Sequence, residues 1–231
     1  CVKNQGDAGD ACDDGNPFTF NDVWQNSGFC EGTWSINNQG NGPCAGEMFI
    51  DYDTKAYLLV ELDGRCWFRE NLHTRIYTNG DSIPFVLEWS YPDSALMTMS
   101  SSPYALYPEE YYYNYYVAQD SRGVCPTGWS IPNSDEWQSL ISAFGGMEEF
   151  VANNLQGPGW NFSWVPEGFS NSGGFSVLKT GHIFPQSNNH QLNFGGFWAR
   201  DSWSQCIGFP FCLGSMQTPN AGLSLRCIKD L

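Results

Sequence analysis

The sequence predicts an α+β domain of short antiparallel strands and two short helices, stapled by disulfides, behind a small irregular N-terminal module. Three observations carry this expectation. A helix with both ends marked lies near the middle of the chain. Short apolar runs separated by turn residues surround it. Nine cysteines sit mostly among Gly, Asn and Asp. The helix is the clearest of the three. Pro132 keeps Ile131 extended, and Asn133 followed three residues on by Glu136 reads as a capping box. Trp137, Leu140, Ile141 and Phe144 then recur at i, i+3, i+4 and i+7, which makes one apolar face. Gly145-Gly146 ends the pattern. Such a helix must pack on something large, and the strand-like segment 224–230 is the expected partner.

In order along the chain, residues 1–46 are expected to form a Cys/Asp/Gly-rich module or arm, and residues 47–231 the main domain. The first part holds Cys1, Cys12, Cys30 and Cys44 and too few apolar residues to fold without staples. Its Asp10, Asp13, Asp14, Asn16 and Asp22 interleave with Gly15. Oxygen-rich loops with a Gly turn suit Ca²⁺, although the EF-hand spacing is absent and the plainer reading is a solvated acidic turn. Residues 47–51 and 56–62 then read as strands, and Asp63-Gly64 as a tight turn into Cys66-Trp67-Phe68. Residues 79–110 read as long loops. The run Tyr111–Val117 reads as one aromatic strand with Tyr111, Tyr113 and Tyr115 on one face and Tyr112 and Tyr116 on the other. Such a strand serves either as a ligand platform or interface, or as a core strand with buried hydroxyls. Residues 147–155 read as a second, shorter helix. Residues 156–231 read as short strands, with Trp160, Trp164, Trp198 and Trp203 spaced through them.

Six stretches, in order, resemble the Fibrobacter succinogenes major paralogous domain family. They are Cys66-Trp-Phe-Arg-Glu-Asn-Leu72, Asn79-Gly-Asp-Ser-Ile-Pro84, Tyr113-Asn-Tyr-Tyr116, Cys125-Pro-Thr-Gly-Trp129 with Pro132 and Glu136-Trp137, Gly174-Phe-Ser176 with Leu178 and Gly181, and Leu225-Arg-Cys-Ile-Lys-Asp230. The resemblance spans roughly residues 47–231 and implies a C-type lectin-like fold. It also supports a Cys125–Cys227 bridge, between the mouth of the main helix and the last strand. It implies no function, because a fold does not fix one. Residues 9–23 resemble a Cys-rich repeat of bacterial surface proteins, Cys-Asp-Asp-Gly-Asn-Pro-x-Thr-x-Asn-Asp. The remaining cysteines allow many pairings. Neighbourhood favours Cys12–Cys30 and Cys44–Cys66, and short range favours Cys206–Cys212 around Gly208 and Pro210. Cys1 is left over. It is expected to be lipidated, bonded to a neighbouring subunit, or merely to stand where the sequence begins.

Charged residues make up only 15% of the chain, so its surface must rely on Asn, Gln, Ser, Thr, Gly and Tyr, as secreted proteins do. The formal charge of −15 argues against nucleic acid and anionic membranes and would draw divalent cations. Cysteines in such a chain point to an oxidising compartment, here the outside of a bacterium. No apolar run reaches the length of a membrane span. No signal peptide is visible, and an export signal is expected to have been removed or to lie outside this sequence.

Catalysis has little to stand on. His73, His182 and His190 have no metal-ligand spacing, and no nucleophile elbow, phosphate loop or dinucleotide fingerprint occurs. Glu109-Glu110 and Glu148-Glu149 are sequence neighbours that point apart on a regular element. The Glu-Pro-Asn, Gln-Pro-Asp and Trp-Asn-Asp triplets through which related lectins hold Ca²⁺ are absent. Ser82, Ser94 and Asn161 lie in short glycosylation motifs. The expected function is therefore non-enzymatic: a self-associating subunit of a surface assembly or filament. The alternative is an adhesin that binds glycans through aromatic side chains, with Tyr111, Tyr112, Tyr116, Trp198 and Trp203 as the candidate platform.

Overall fold

The computed structural model describes residues 19–24, 30–34, 41–85, 97–99, 110–154, 171, 173–178, 182–183, 190–191, 195–201, 205–207, 219 and 221–231. The chain divides into two compact units, Cys1–Asn37 and Asn38–Leu231. In the first, β1 (Thr19–Trp24) and β2 (Cys30–Trp34) pair antiparallel, with an irregularity between Phe20 and Val23.

The second unit is α+β, organised on one curled antiparallel sheet. β3 (Phe49–Tyr52), β4 (Lys55–Leu62) and β5 (Arg65–Phe68) follow one another through two tight turns. Asp63-Gly64 makes the second turn with both residues at positive φ, the geometry that suits Asp-Gly. Asp53-Thr54 makes the first in the same conformation, which is costlier for a β-branched Thr. The Asp53 carboxylate offsets that cost by accepting from Thr74 Oγ1 (2.8 Å) and Arg75 N (2.9 Å).

The remaining short elements are β6 (Met97–Met99), β7 (Tyr111–Tyr113), α1 (Tyr115–Ala118), β8 (Trp129–Ser130), α2 (Ser134–Ala143), α3 (Met147–Asn154), β9 (His182–Ile183), β10 (His190–Gln191), β11 (Gly195–Phe197), β12 (Gln205–Ile207) and β13 (Ile228–Lys229). β6 pairs β7, β9 pairs β10 and β11 pairs β12. The last strand enters the sheet between the first hairpin and β8, so the order is β3-β4-β5-β13-β8.

Side-chain alternation gives this sheet two buried faces. Tyr57, Leu59, Cys66, Phe68 and Cys227 enter one apolar cluster, which α1 covers with Val117 and Ala118. Val60, Trp67 and Ile228 enter the other, which α2 and α3 cover with Trp137, Leu140, Ile141, Phe150 and Val151. In the second cluster Trp67 and Trp137 meet at 5.5 Å, and Phe175 stands edge-on to both. Burying each such ring stabilises the fold by roughly 2–3 kcal/mol. β11 lies so close to this cluster that a Cβ on Gly195 would sit 2.5 Å from Val177 Cγ1.

The α2 signals act as the sequence implies. Asn133 Oδ1 accepts from Glu136 N and Glu136 Oε2 accepts from Asn133 N, both at 2.8 Å. Gly145 and Gly146 follow the helix at positive φ, and Gly146 N donates to Ile141 O. Cys125 is bonded to Cys227 and Cys44 to Cys66. The second bond holds residues 41–46 against the hairpin, where Cys44 N also donates to Glu61 Oε1 (2.9 Å).

The aromatic run is not one strand. It leaves the extended conformation after Asn114, whose side chain accepts from Val117 N (3.2 Å) and caps α1. A short amide side chain that bonds its own backbone competes with the strand ladder, and here it wins.

Candidate functional site

Behind the hairpin, the irregular segment 69–76 meets β7 and residues 221–226 in a buried polar cluster. Arg226 is its centre and is fully buried. Its Nη1 donates to Phe175 O (2.7 Å) and to the carbonyls of Phe68 and Arg69, and its Nη2 donates to Asn71 Oδ1 (2.6 Å). The guanidinium lies over the rings of Phe175 (4.4 Å) and Phe197 (5.3 Å). Its Nε has no hydrogen-bond partner among the described residues. Burial pulls the Arg226 pKa down, and the nearby Glu70 and Glu110 carboxylates oppose that pull. An arginine is the fitting residue here, because one planar fork satisfies carbonyls from two loops that lack a ladder of their own.

A second chain of charges runs outward from it. Asn71 Nδ2 donates to Glu110 Oε2 (3.0 Å) and Ser224 Oγ (3.2 Å). Glu110 Oε1 lies 3.1 Å from His73 Nε2, a charge contact off the N–H axis of the ring. His73 Nδ1 lies 3.3 Å from Lys55 Nζ. An imidazole with no proton on Nδ1 accepts there from the ammonium. Burial would push the Glu110 carboxyl up, but His73, Asn71 and Lys55 together hold it below its ordinary value. Glu70 goes the other way: burial raises it more than the Leu58 amide, Lys55, Arg226 and Arg69 lower it. Paired carboxylates pushed apart in pKa are one mark of an acid–base site, but neither of these shifts is caused by the other carboxylate. The contacts of both are to the fold's own backbone and side chains. Tyr113 belongs to the same lattice, its hydroxyl receiving Thr74 N (2.8 Å) beside the carbonyls of Leu72 and Thr74.

Two features lie at the surface. One is an aromatic–cationic patch over the cluster. The half-buried Tyr111 ring stacks on His73 at 5.1 Å, Arg75 Nε donates to Tyr111 Oη (2.9 Å), and the Arg75 guanidinium lies over Tyr111 and the exposed Phe85. The other is β3, the outermost strand of the sheet, where Met48 and Phe49 are 40% and 55% exposed. A hollow of about 280 Å³ beside the start of α2 is less informative. Two pairs of its polar groups are engaged with one another, Arg65 with Glu136 Oε1 (3.1 Å) and Ser139 with Asp63.

The proposed aromatic platform is broken up. Tyr112 and Trp198 are core residues, 1% and 0% exposed, and Trp198 Nε1 donates to Tyr113 O (2.6 Å). Neither can offer a ring to a ligand at the surface, because both side chains are packed inside the fold. Tyr111 and Tyr116 are half-buried, and Trp203 lies outside the described residues. Of the cysteines, Cys44, Cys66, Cys125 and Cys227 form the two bonds above. Cys30 and Cys206 are placed by backbone in β2 and β12, while Cys1, Cys12 and Cys212 lie outside the described residues. So do Asp10, Asp13, Asp14 and Asn16 of the acidic set, with Asp22 placed by backbone in β1. Ser82 is exposed, opposite Ile76 in an isolated bridge; Ser94 and Asn161 are again outside. Sequence reasoning did not find the β3 edge. Its one signal was Met48-Phe49-Ile50, three successive apolar residues that cannot all face inward on a strand.

Among the described residues no helix is long and apolar enough to cross a membrane, and no group of His, Cys, Asp and Glu is arranged to hold a metal ion. No curated protein and no solved structure matches the chain. One family does, over residues 60–229, a span that takes in β5, the Cys125 turn with α2, and Arg226. The chain therefore belongs to the Fibrobacter succinogenes major domain family.

Proposed function

We propose that this protein is a non-catalytic, extracellular bacterial surface or secreted protein that works by self-association, as a structural subunit of a surface assembly. On this reading the larger unit is a C-type lectin-like domain, and the smaller one is a disulfide-stapled surface-protein repeat. The observation that supports it is the edge strand β3, which among the described residues pairs only with β4, and at which Met48 and Phe49 are exposed. Proteins that stay monomeric blunt such edges with Pro, Lys or a covering loop. Sedimentation velocity of the whole chain over a wide concentration range, with and without reductant, tests the reading. A dimer or larger species that grows with concentration is expected. A single monomeric species up to millimolar concentration rules it out.

A second reading, a glycan-binding adhesin, draws on the Tyr111–His73–Arg75–Phe85 patch. A partly exposed ring beside guanidinium and imidazole donors suits the apolar face and hydroxyls of a sugar. A glycan array probed with the protein and with Tyr111→Ala tests it. Binding lost in the variant supports the adhesin, and an array with no hits removes it.

A further inference from the structure

Resting on the self-association reading, we infer that the contact between copies is β3 pairing antiparallel with β3 of a second copy, in a single register centred on Ile50. The free hydrogen-bonding groups of the edge follow from the hairpin. Leu59 N donates to Met48 O across β3 and β4, and paired residues in an antiparallel ladder alternate between bonded and non-bonded. With Ile50 opposite Tyr57 and Tyr52 opposite Lys55, the bonded pairs are those of Met48, Ile50 and Tyr52. The N–H and C=O groups of Phe49 and Asp51 therefore point away from β4.

Those groups restrict which registers a second copy can adopt. A two-fold axis through Ile50 sets Phe49 opposite the partner's Asp51 and Asp51 opposite the partner's Phe49, two bonded pairs and four hydrogen bonds. An axis through Asp51 sets the two Asp51 carboxylates against each other. An axis through Phe49 sets Asp51 against the partner's Glu47. Like charges directly opposite one another are destabilising, and only the first register keeps Asp51 away from a partner carboxylate.

The same register accounts for the exposed side chains. On the core side, Ile50 meets the partner's Ile50, and the 40%-exposed Met48 gains the partner's Tyr52 as its lid. On the outer side, the two Phe49 rings approach along a diagonal, within reach of aromatic side chains. At the ends of the pairing, Glu47 stands opposite the partner's Asp53. Both carboxylates are engaged within their own chain, Glu47 with Lys229 Nζ (3.7 Å) and Asp53 with Thr74 and Arg75. The contact forms against the net charge of −15 on each copy, so added salt strengthens it.

The test is a charge swap read by sedimentation equilibrium on the whole oxidised chain, at low and high salt. Phe49→Asp alone puts two carboxylate pairs across the interface and is expected to weaken dimerisation by about tenfold or more. Adding Asp51→Arg to it sets Asp against Arg at both positions and is expected to restore the dimer. Position 49 is largely in solvent, and an unchanged circular dichroism spectrum shows that the variants fold. Self-association that Phe49→Asp leaves unchanged, or that the double variant fails to restore, overturns the β3 register while the self-association reading stands. A wild-type chain that remains monomeric at high salt overturns both.

Discussion

The two edges of the five-stranded sheet are built differently. β8 is two residues long, with Trp129 buried against Phe68 at 4.9 Å. It is bonded to β13, and the Cys125–Cys227 disulfide ties its approach to the same strand. β3 is four residues long, carries Phe49 in solvent and has the Cys44–Cys66 bond only along its hairpin. One edge is closed by shortness, burial and a long-range staple, and the other is left open among the described residues. A protein that needed only to be stable and soluble would have little reason to treat its edges unequally.

The sharpest way to break this comparison is to remove each staple in turn. Replacing Cys125 and Cys227 together by Ala releases a loop of sequence separation 102 and is expected to cost about 4–5 kcal/mol. Replacing Cys44 and Cys66 releases one of 22 and is expected to cost about 3 kcal/mol. Denaturant midpoints of the two variants check the order, and a larger loss at the Cys44–Cys66 end would reverse the argument.

Next in size is the buried charge. Glu110→Ala strands His73 and Asn71 and is expected to cost about 3 kcal/mol at neutral pH. The milder Glu110→Gln isolates the pH dependence. The folded carboxyl lies below its ordinary value of 4.5, so its stabilisation is present above that value and is lost as pH falls through the folded pKa. Glu70, raised by burial, contributes in the opposite sense and is common to both proteins. The difference between wild type and Glu110→Gln should therefore shrink below pH 4.5. Thermal melts across that window decide it, and a constant difference would mean that the carboxylate charge is not what matters.

Two smaller substitutions sharpen the contrast. Asn133→Ala removes the cap beside the closed edge and is expected to cost about 1 kcal/mol. Phe49→Ala on the open edge is expected to change monomer stability by less than about 0.5 kcal/mol. If Phe49→Ala proves the costlier of the two by chemical denaturation, Phe49 is a packing residue, and β3 is not open.

What could be read from the sequence was local. Asn133, Glu136 and Gly145-Gly146 mark α2 within its own residues, and Asp63-Gly64 marks a turn in two. The aromatic run misled because the outcome at Asn114 depends on which backbone group its amide reaches, a competition that residue types alone do not show. Arg226 was invisible as a centre for another reason. Its partners lie in segments 68–71 and 175–176, and no spacing rule links an arginine to carbonyls so far away in the chain. The edge of a sheet is equally non-local, since β3 becomes one only when nothing pairs with its outer side.

The place of β13 bears on how the protein is made. β5 and β8 are not hydrogen-bonded to each other; the sheet joins them through a strand at residues 228–229. During synthesis from the N-terminus, the hairpin and β8 cannot join one sheet until that strand arrives. The five-stranded sheet is thus completed only after residues 228–229 are made, so the closing of this sheet comes late in the order of synthesis.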